Sequence, residues 1–146
     1  MRWIRESCGA EIDRAVGGDR TRAALLAAIA ANESGGRRQT YRFVPEIHHR
    51  LTALLHGSDE ELDGLTKAQL EKYLSTAHTD MERSERLKRL AGLHGYTQIP
   101  GYLAVVWKVP LDLVSSKEKH FELAVKRLDE MCQEHELNPA THAAEI

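Results

Sequence analysis

The run AALLAAIAA, residues 23 to 31, constrains this chain more than any other stretch. Nine consecutive residues carry no polar side chain, and alanine and leucine dominate them, the strongest helix formers among apolar residues. GlyGly at 17 and 18 precedes the segment and GlyGly at 35 and 36 closes it. Asp19 stands where an N-cap belongs. The pattern predicts a helix from about 20 to 33. A helix apolar on every side belongs in the middle of a domain, so the expectation is a buried central helix.

The rest of the chain reads as helix nearly throughout. Ile4, Cys8, Ile12, Ala15 and Val16 recur at three- and four-residue spacing. TYRFV (40–44) reads as a very short extended piece, and Pro45 suits the first turn of a helix carrying Ile47, Leu51, Leu54 and Leu55. SDEE (58–61) and TKAQ (66–69) have capping-box form, and Ser115 with Glu118 resembles a third. Leu70, Tyr73 and Leu74 mark one helix, and Leu87, Leu90 and Ala91 a heavily charged one. HGYTQIPGYLAVVW (94–107) reads as a glycine-bounded loop entering an apolar segment. A last helix carries Phe121, Ala124, Val125, Leu128, Met131 and Cys132 and ends at Asn138-Pro139. The expected fold class is all-α, with at most a very short extended segment near 40–44.

Composition narrows the function. A net charge of −2 over 146 residues supplies no basic face for nucleic acid. No run reaches the roughly 18 apolar residues of a membrane span. The N-terminus lacks the apolar stretch of a signal peptide, so the expectation is synthesis in the cytoplasm, with release or export to the cell wall afterwards. Cys8 and Cys132 are too far apart for a CxxC motif and are read as buried free thiols. Eight histidines show no HExxH or comparable spacing, so neither a metal nor another cofactor is expected.

Glu33 ends the apolar run. If the helix carries it inward, desolvation disfavours its charge, and the free carbonyls of a helix C-terminus act in the same direction. A carboxyl that keeps its proton near neutral pH is what glycosidic cleavage asks of its general acid. The plain alternative is a glutamate reaching solvent as the helix exits. GYTQI (95–99) sets Thr97 and Gln98, neutral donors and acceptors suited to sugar hydroxyls and N-acetyl groups, between glycine and apolar residues; a structural turn is its plain alternative.

Together AIAANESGG (28–36) and GYTQI (95–99) resemble the lysozyme-like superfamily, especially soluble lytic transglycosylases, goose-type lysozymes and bacterial N-acetylmuramidase-like domains. Those families carry a catalytic glutamate in an E-S motif at a helix end and a glycine-started G-hydrophobic-x-Q-hydrophobic loop lining the sugar cleft. YRFVPEIHHRL (41–51) looks like the helix that follows the glutamate, and HFELAVKRLDEMCQEHELNP (120–139) like the closing helix. The resemblance spans roughly residues 20 to 139 and implies a lysozyme-like helical domain over 1–146 acting on the β-1,4 bond between N-acetylmuramate and N-acetylglucosamine.

By that resemblance Glu33 is the general acid and then the base, acting on water (a muramidase) or on the muramate 6-hydroxyl (a lytic transglycosylase). Ser34 supports it or the adjoining turn. Gln98 with Thr97 binds substrate, Tyr41 and Tyr96 wall the cleft, and His94 lines it. Arg37 and Arg38 are candidates for the wall's carboxylates. The family's aromatic-Asn-x-Gly segment has no counterpart after the closing helix. The expectation is therefore a domain truncated on that side of the cleft, completed by a partner, or inactive. An inactive relative binding glycan or a protein partner is the alternative function.

Overall fold

The computed structural model describes residues 2–37, 40–57 and 61–136. Residues 58–60 of the expected capping box at 58–61, Arg38 and the tail from Asn138 lie outside the described residues. In chain order the elements are α1 (Arg2–Val16), α2 (Arg20–Ser34), β1 (Tyr41–Phe43), α3 (Pro45–Leu55), α4 (Lys67–Ser75), α5 (Asp80–Leu90), β2 (Gly92–His94), β3 (Ile99–Pro100), α6 (Tyr102–Trp107), α7 (Leu111–Val114) and α8 (His120–Glu134). The chain is mostly helical, with one small antiparallel sheet in the order β1-β2-β3.

That sheet corrects the all-α expectation in one respect. Only β1 lies in the segment read as extended; β2 and β3 occupy 92–94 and 99–100, which read as helix end and loop. Strands of three and two residues are too short for a period-two pattern to declare itself, and Gly92 and Pro100 have low strand propensity. Pro100 is tolerated because β3 is an edge strand, where a missing N–H need not break the ladder.

The described residues form two compact units. The first comprises the described residues within 1–40, 95–98 and 115–146 and contains α1, α2 and α8. Ile4, Cys8 and Ile12 of α1, Leu26 and Ala30 of α2, and Phe121, Ala124, Leu128 and Cys132 of α8 supply its core. Cys8 and Cys132 are buried free thiols. Arg22 of α2 grips Asp129 of α8 with both terminal guanidinium nitrogens, Nη2 at 2.8 Å and Nη1 at 3.2 Å. Both partners are partly exposed, so the pair contributes about 1 kcal/mol or less.

The AALLAAIAA run is helical as expected, and Asp19 caps its helix by accepting from the Arg22 N–H at 3.0 Å. The helix is not immersed, however. Only Leu26, Ala30 and Ser34 are buried, a single stripe at four-residue spacing. Alanine carries so little apolar area that a face made of it can meet water at small cost, which is why the all-apolar pattern overstated burial.

The second unit comprises the described residues within 41–94 and 99–114: the sheet with α3 to α7. Leu51, Leu54, Leu70, Leu74, Leu90 and Ile99 are among its most deeply buried side chains. Pro45 occupies the first turn of α3 as expected. The capping box of α4 is complete: Thr66 Oγ1 accepts from the Gln69 N–H at 3.2 Å and Gln69 Oε1 accepts from the Thr66 N–H at 2.9 Å. Among the described residues no helix is long and apolar enough to cross a membrane.

Candidate functional site

Glu33 stands one residue before the end of α2 and is exposed. This corrects the expectation of a carboxyl carried inward. The buried stripe passes through Ala30 and Ser34, and a helical step of about 100° turns Glu33 away from it. Burial, the first effect expected to act on Glu33, is absent.

The helix end itself is firmly built. Ser34 is buried; its hydroxyl donates to the Ala30 carbonyl at 3.0 Å and accepts from the Gly36 N–H at 3.1 Å. Gly35 adopts a left-handed conformation (φ 61°) and sends its N–H back to the last turn of the helix. Gly36 also has positive φ, and a Cβ there would lie 2.4 Å from the Trp3 ring and 2.7 Å from Ile4 Cδ1. Only glycine satisfies both the backbone and the space, so the two glycines fix where the chain goes after Glu33.

Residues 95–98 of the GYTQI loop belong to the same unit. Thr97 is held by His120, the first residue of α8. Nε2 of His120 accepts from the Thr97 N–H at 2.9 Å and lies 2.8 Å from the Thr97 hydroxyl. His120 is completely buried. Tyr96, expected as a cleft wall, packs inward instead, against the rings of His120 (5.6 Å) and Phe121 (5.1 Å). Gln98 is buried with φ 56°; its side-chain amide donates to the carbonyls of Thr40 (3.2 Å) and Gly95 (3.1 Å). Arg127 of α8 donates to the Gln98 carbonyl at 3.3 Å. The polar side chains expected to face sugar thus shape the loop.

Two further bonds tie that loop to the segment leaving α2. The Gly95 N–H and the Gln98 amide both donate to the Thr40 carbonyl, at 2.9 and 3.2 Å. Thr40 in turn donates its hydroxyl to the Arg37 carbonyl, and the Arg37 N–H reaches the Ser34 carbonyl. A hydrogen-bonded chain therefore runs from the E-S motif to the loop.

Tyr41 and His94 lie in the second unit, paired across β1 and β2 with ring centroids 5.1 Å apart. The Tyr41 ring lies over Gly92, where a Cβ would come within 2.1 Å of it, and its hydroxyl donates to the Lys88 carbonyl at 3.2 Å. His94 Nε2 is 2.8 Å from the Arg89 carbonyl. A carbonyl only accepts, so this nitrogen carries the proton. Burial pushes the His94 pKa below its ordinary value, outweighing the opposing pull of that hydrogen bond.

His120 is the residue that sequence reasoning missed. It stood only in the tally of histidines lacking metal spacing, yet it begins the stripe His120, Ala124, Leu128, Cys132, all buried. That four-residue spacing was the available signal. Among the described residues no group of three or more His, Cys, Asp and Glu side chains is disposed to hold a metal ion. Comparison with protein-family models, curated proteins and solved structures returns no match. The functional reading therefore rests on the motifs and their geometry.

Proposed function

We propose that this chain is a lysozyme-like, peptidoglycan-cleaving glycosidase with Glu33 as its general acid and base. The observation that carries the reading is the double hydrogen bond from the GYTQI loop to Thr40. Two motifs some sixty residues apart in sequence are joined through Thr40, Arg37 and Ser34. A family in which both motifs serve one cleft requires a join of this kind.

In this reading the exposed Glu33 is reachable by a glycosidic oxygen, and a glycan seated over it takes the place of water. The carboxyl protonates the leaving oxygen. The resulting carboxylate then removes a proton from the attacking group, either water or the muramate 6-hydroxyl. Ser34 and the two glycines hold the helix end still, and His120 and Arg127 hold the loop, so the acid sits on a rigid frame.

A second reading is a non-hydrolytic relative that binds glycan or a protein partner. It is favoured by the exposure of Glu33 and by the inward commitment of Thr97 and Gln98. Co-sedimentation with insoluble peptidoglycan, run beside a turbidity assay, separates the two. The first reading predicts clearing that Glu33→Gln abolishes while sedimentation persists. Sedimentation without clearing in either protein rejects it for the second.

A further inference from the structure

Helices α1 and α2 leave a groove between them in the first unit, an open space of about 870 Å³. The two helices run antiparallel: a Cβ at Gly36, just past the end of α2, would strike Trp3 and Ile4 at the start of α1. Ile4, Cys8 and Ile12 turn into the core. Arg5, Gly9 and Asp13 each follow one of them by a single position, so they lie about 100° around α1 and line the groove. Ala23, Ala24 and Ala27 line it from α2. None of these alanines is buried, and neither is Gly9. The AALLAAIAA run therefore has an apolar side that the described residues leave uncovered.

Floor and rim differ in chemistry. Gly9, Ala23 and Ala27 are small, so a third helix can come close to both of these. A Cβ built on Gly9 meets nothing nearer than Arg5 Cβ at 3.6 Å. The charged lining is Arg2, Arg5 and Arg20 against Asp13, a cationic surplus in a chain whose net charge is −2. Arg2 pairs with Glu6 at 3.3 Å, but both are highly exposed, so the pair holds Arg2 weakly. Arg5 and Arg20 make no ion pair among the described residues. Arg5 lies toward the open end of the helix pair and Arg20 at its turn. Along the groove they stand roughly 15 Å apart, about three helical turns.

We propose that this groove is a docking site for an amphipathic helix of a partner protein. That helix has alanine or leucine on its buried face and two acidic residues about eleven positions apart, which meet Arg5 and Arg20. A second copy docked by the same face would set its own arginines against these. A membrane surface calls for protruding apolar side chains, whereas this surface is concave and floored with glycine and alanine. The proposal does not rest on the glycosidase reading.

The probe is a synthetic helical peptide with alanine and leucine on one face and glutamate at two positions eleven apart. The same peptide with lysine at those positions is its control. Each is titrated into the full chain, with fluorescence anisotropy giving affinity and amide NMR shifts giving location. The glutamate peptide should bind about tenfold tighter than the lysine peptide, more weakly as salt rises, with shifts centred on Gly9, Ala23, Ala24 and Ala27. Arg5→Glu with Arg20→Glu should reverse the preference, which a general loss of structure cannot do. Gly9→Leu should fill the groove and abolish binding. Its urea midpoint should match or exceed that of the parent, because Gly9 is helical and the space beside it is open. No response to the glutamate peptide overturns the proposal, as do equal affinities for the two peptides or binding that survives Gly9→Leu. Shifts at the same residues on raising the protein concentration alone would assign the groove to a second copy and overturn it. Tighter binding to vesicles of anionic phospholipid than to the glutamate peptide would overturn it in favour of a membrane surface.

Discussion

Replacing His120 with leucine tests the frame of the candidate site. Leucine keeps an apolar side chain against Tyr96 and Phe121 but removes the Nε2 acceptor. The Thr97 N–H and hydroxyl, at 2.9 and 2.8 Å, then lose their partner in a buried position. An unsatisfied buried N–H costs about 1–3 kcal/mol. The hydroxyl can rotate toward another acceptor and adds less, so the expected total is about 2–3 kcal/mol. Urea unfolding measures it. Thr97→Val removes only the hydroxyl and should cost less, and the double variant should cost less than the two singles combined because they share a bond. Hydrogen exchange gives an independent reading, with the Thr97 amide slow in the parent and fast in His120→Leu. Unchanged stability and an equally protected Thr97 amide would refute the claim that α8 positions this loop.

Three further predictions follow from local geometry. Gly36→Ala forces a left-handed alanine and drives its Cβ into Trp3 and Ile4; a loss of about 2 kcal/mol or more, with a change in the tryptophan near-UV signal, is expected on denaturation. Thr66→Ala removes half of the α4 capping box and should lower stability by about 1 kcal/mol, read as a shift in the urea midpoint at unchanged slope. The pH dependence of unfolding should carry a contribution from His94, whose folded pKa lies below 6.5. Below 6.5 the unfolded chain takes up a proton that the folded chain resists, so this stability is complete above 6.5 and is lost as pH falls toward the folded value. Comparing pH-stability curves of the parent and His94→Gln isolates it, and parallel curves would remove His94 as the cause.

Helix positions were legible in the sequence where caps and spacing were strong. Asp19, Pro45 and Thr66 each mark a helix start as expected, since capping is a local matter of one side chain and a few backbone groups. Burial was less legible, because the AALLAAIAA run has no polar face to show which side turns outward; the structure buries only the side of Leu26, Ala30 and Ser34. The Ser115–Glu118 pattern misled for a related reason. Helix α8 begins at His120 without a side-chain cap, and the Ser116 hydroxyl merely approaches the Lys119 N–H at 3.4 Å. At the candidate site the motifs were readable but their use was not. Thr97 and Gln98 are polar in sequence, and only the fold shows that His120 and Thr40, 23 and 58 residues away, take up their hydrogen bonds. Such partners are non-local and leave no periodic trace.

The most direct test of the central claim is mass spectrometry of the products formed from purified, peptide-stripped peptidoglycan by this protein and by its Glu33→Gln variant. The account predicts muramate-ended fragments from the parent and none from the variant. Reducing ends would assign water as the acceptor, and anhydro ends, lighter by one water, the muramate 6-hydroxyl. Fragments released equally by both proteins, or by neither, would contradict the assignment of Glu33 as the acid.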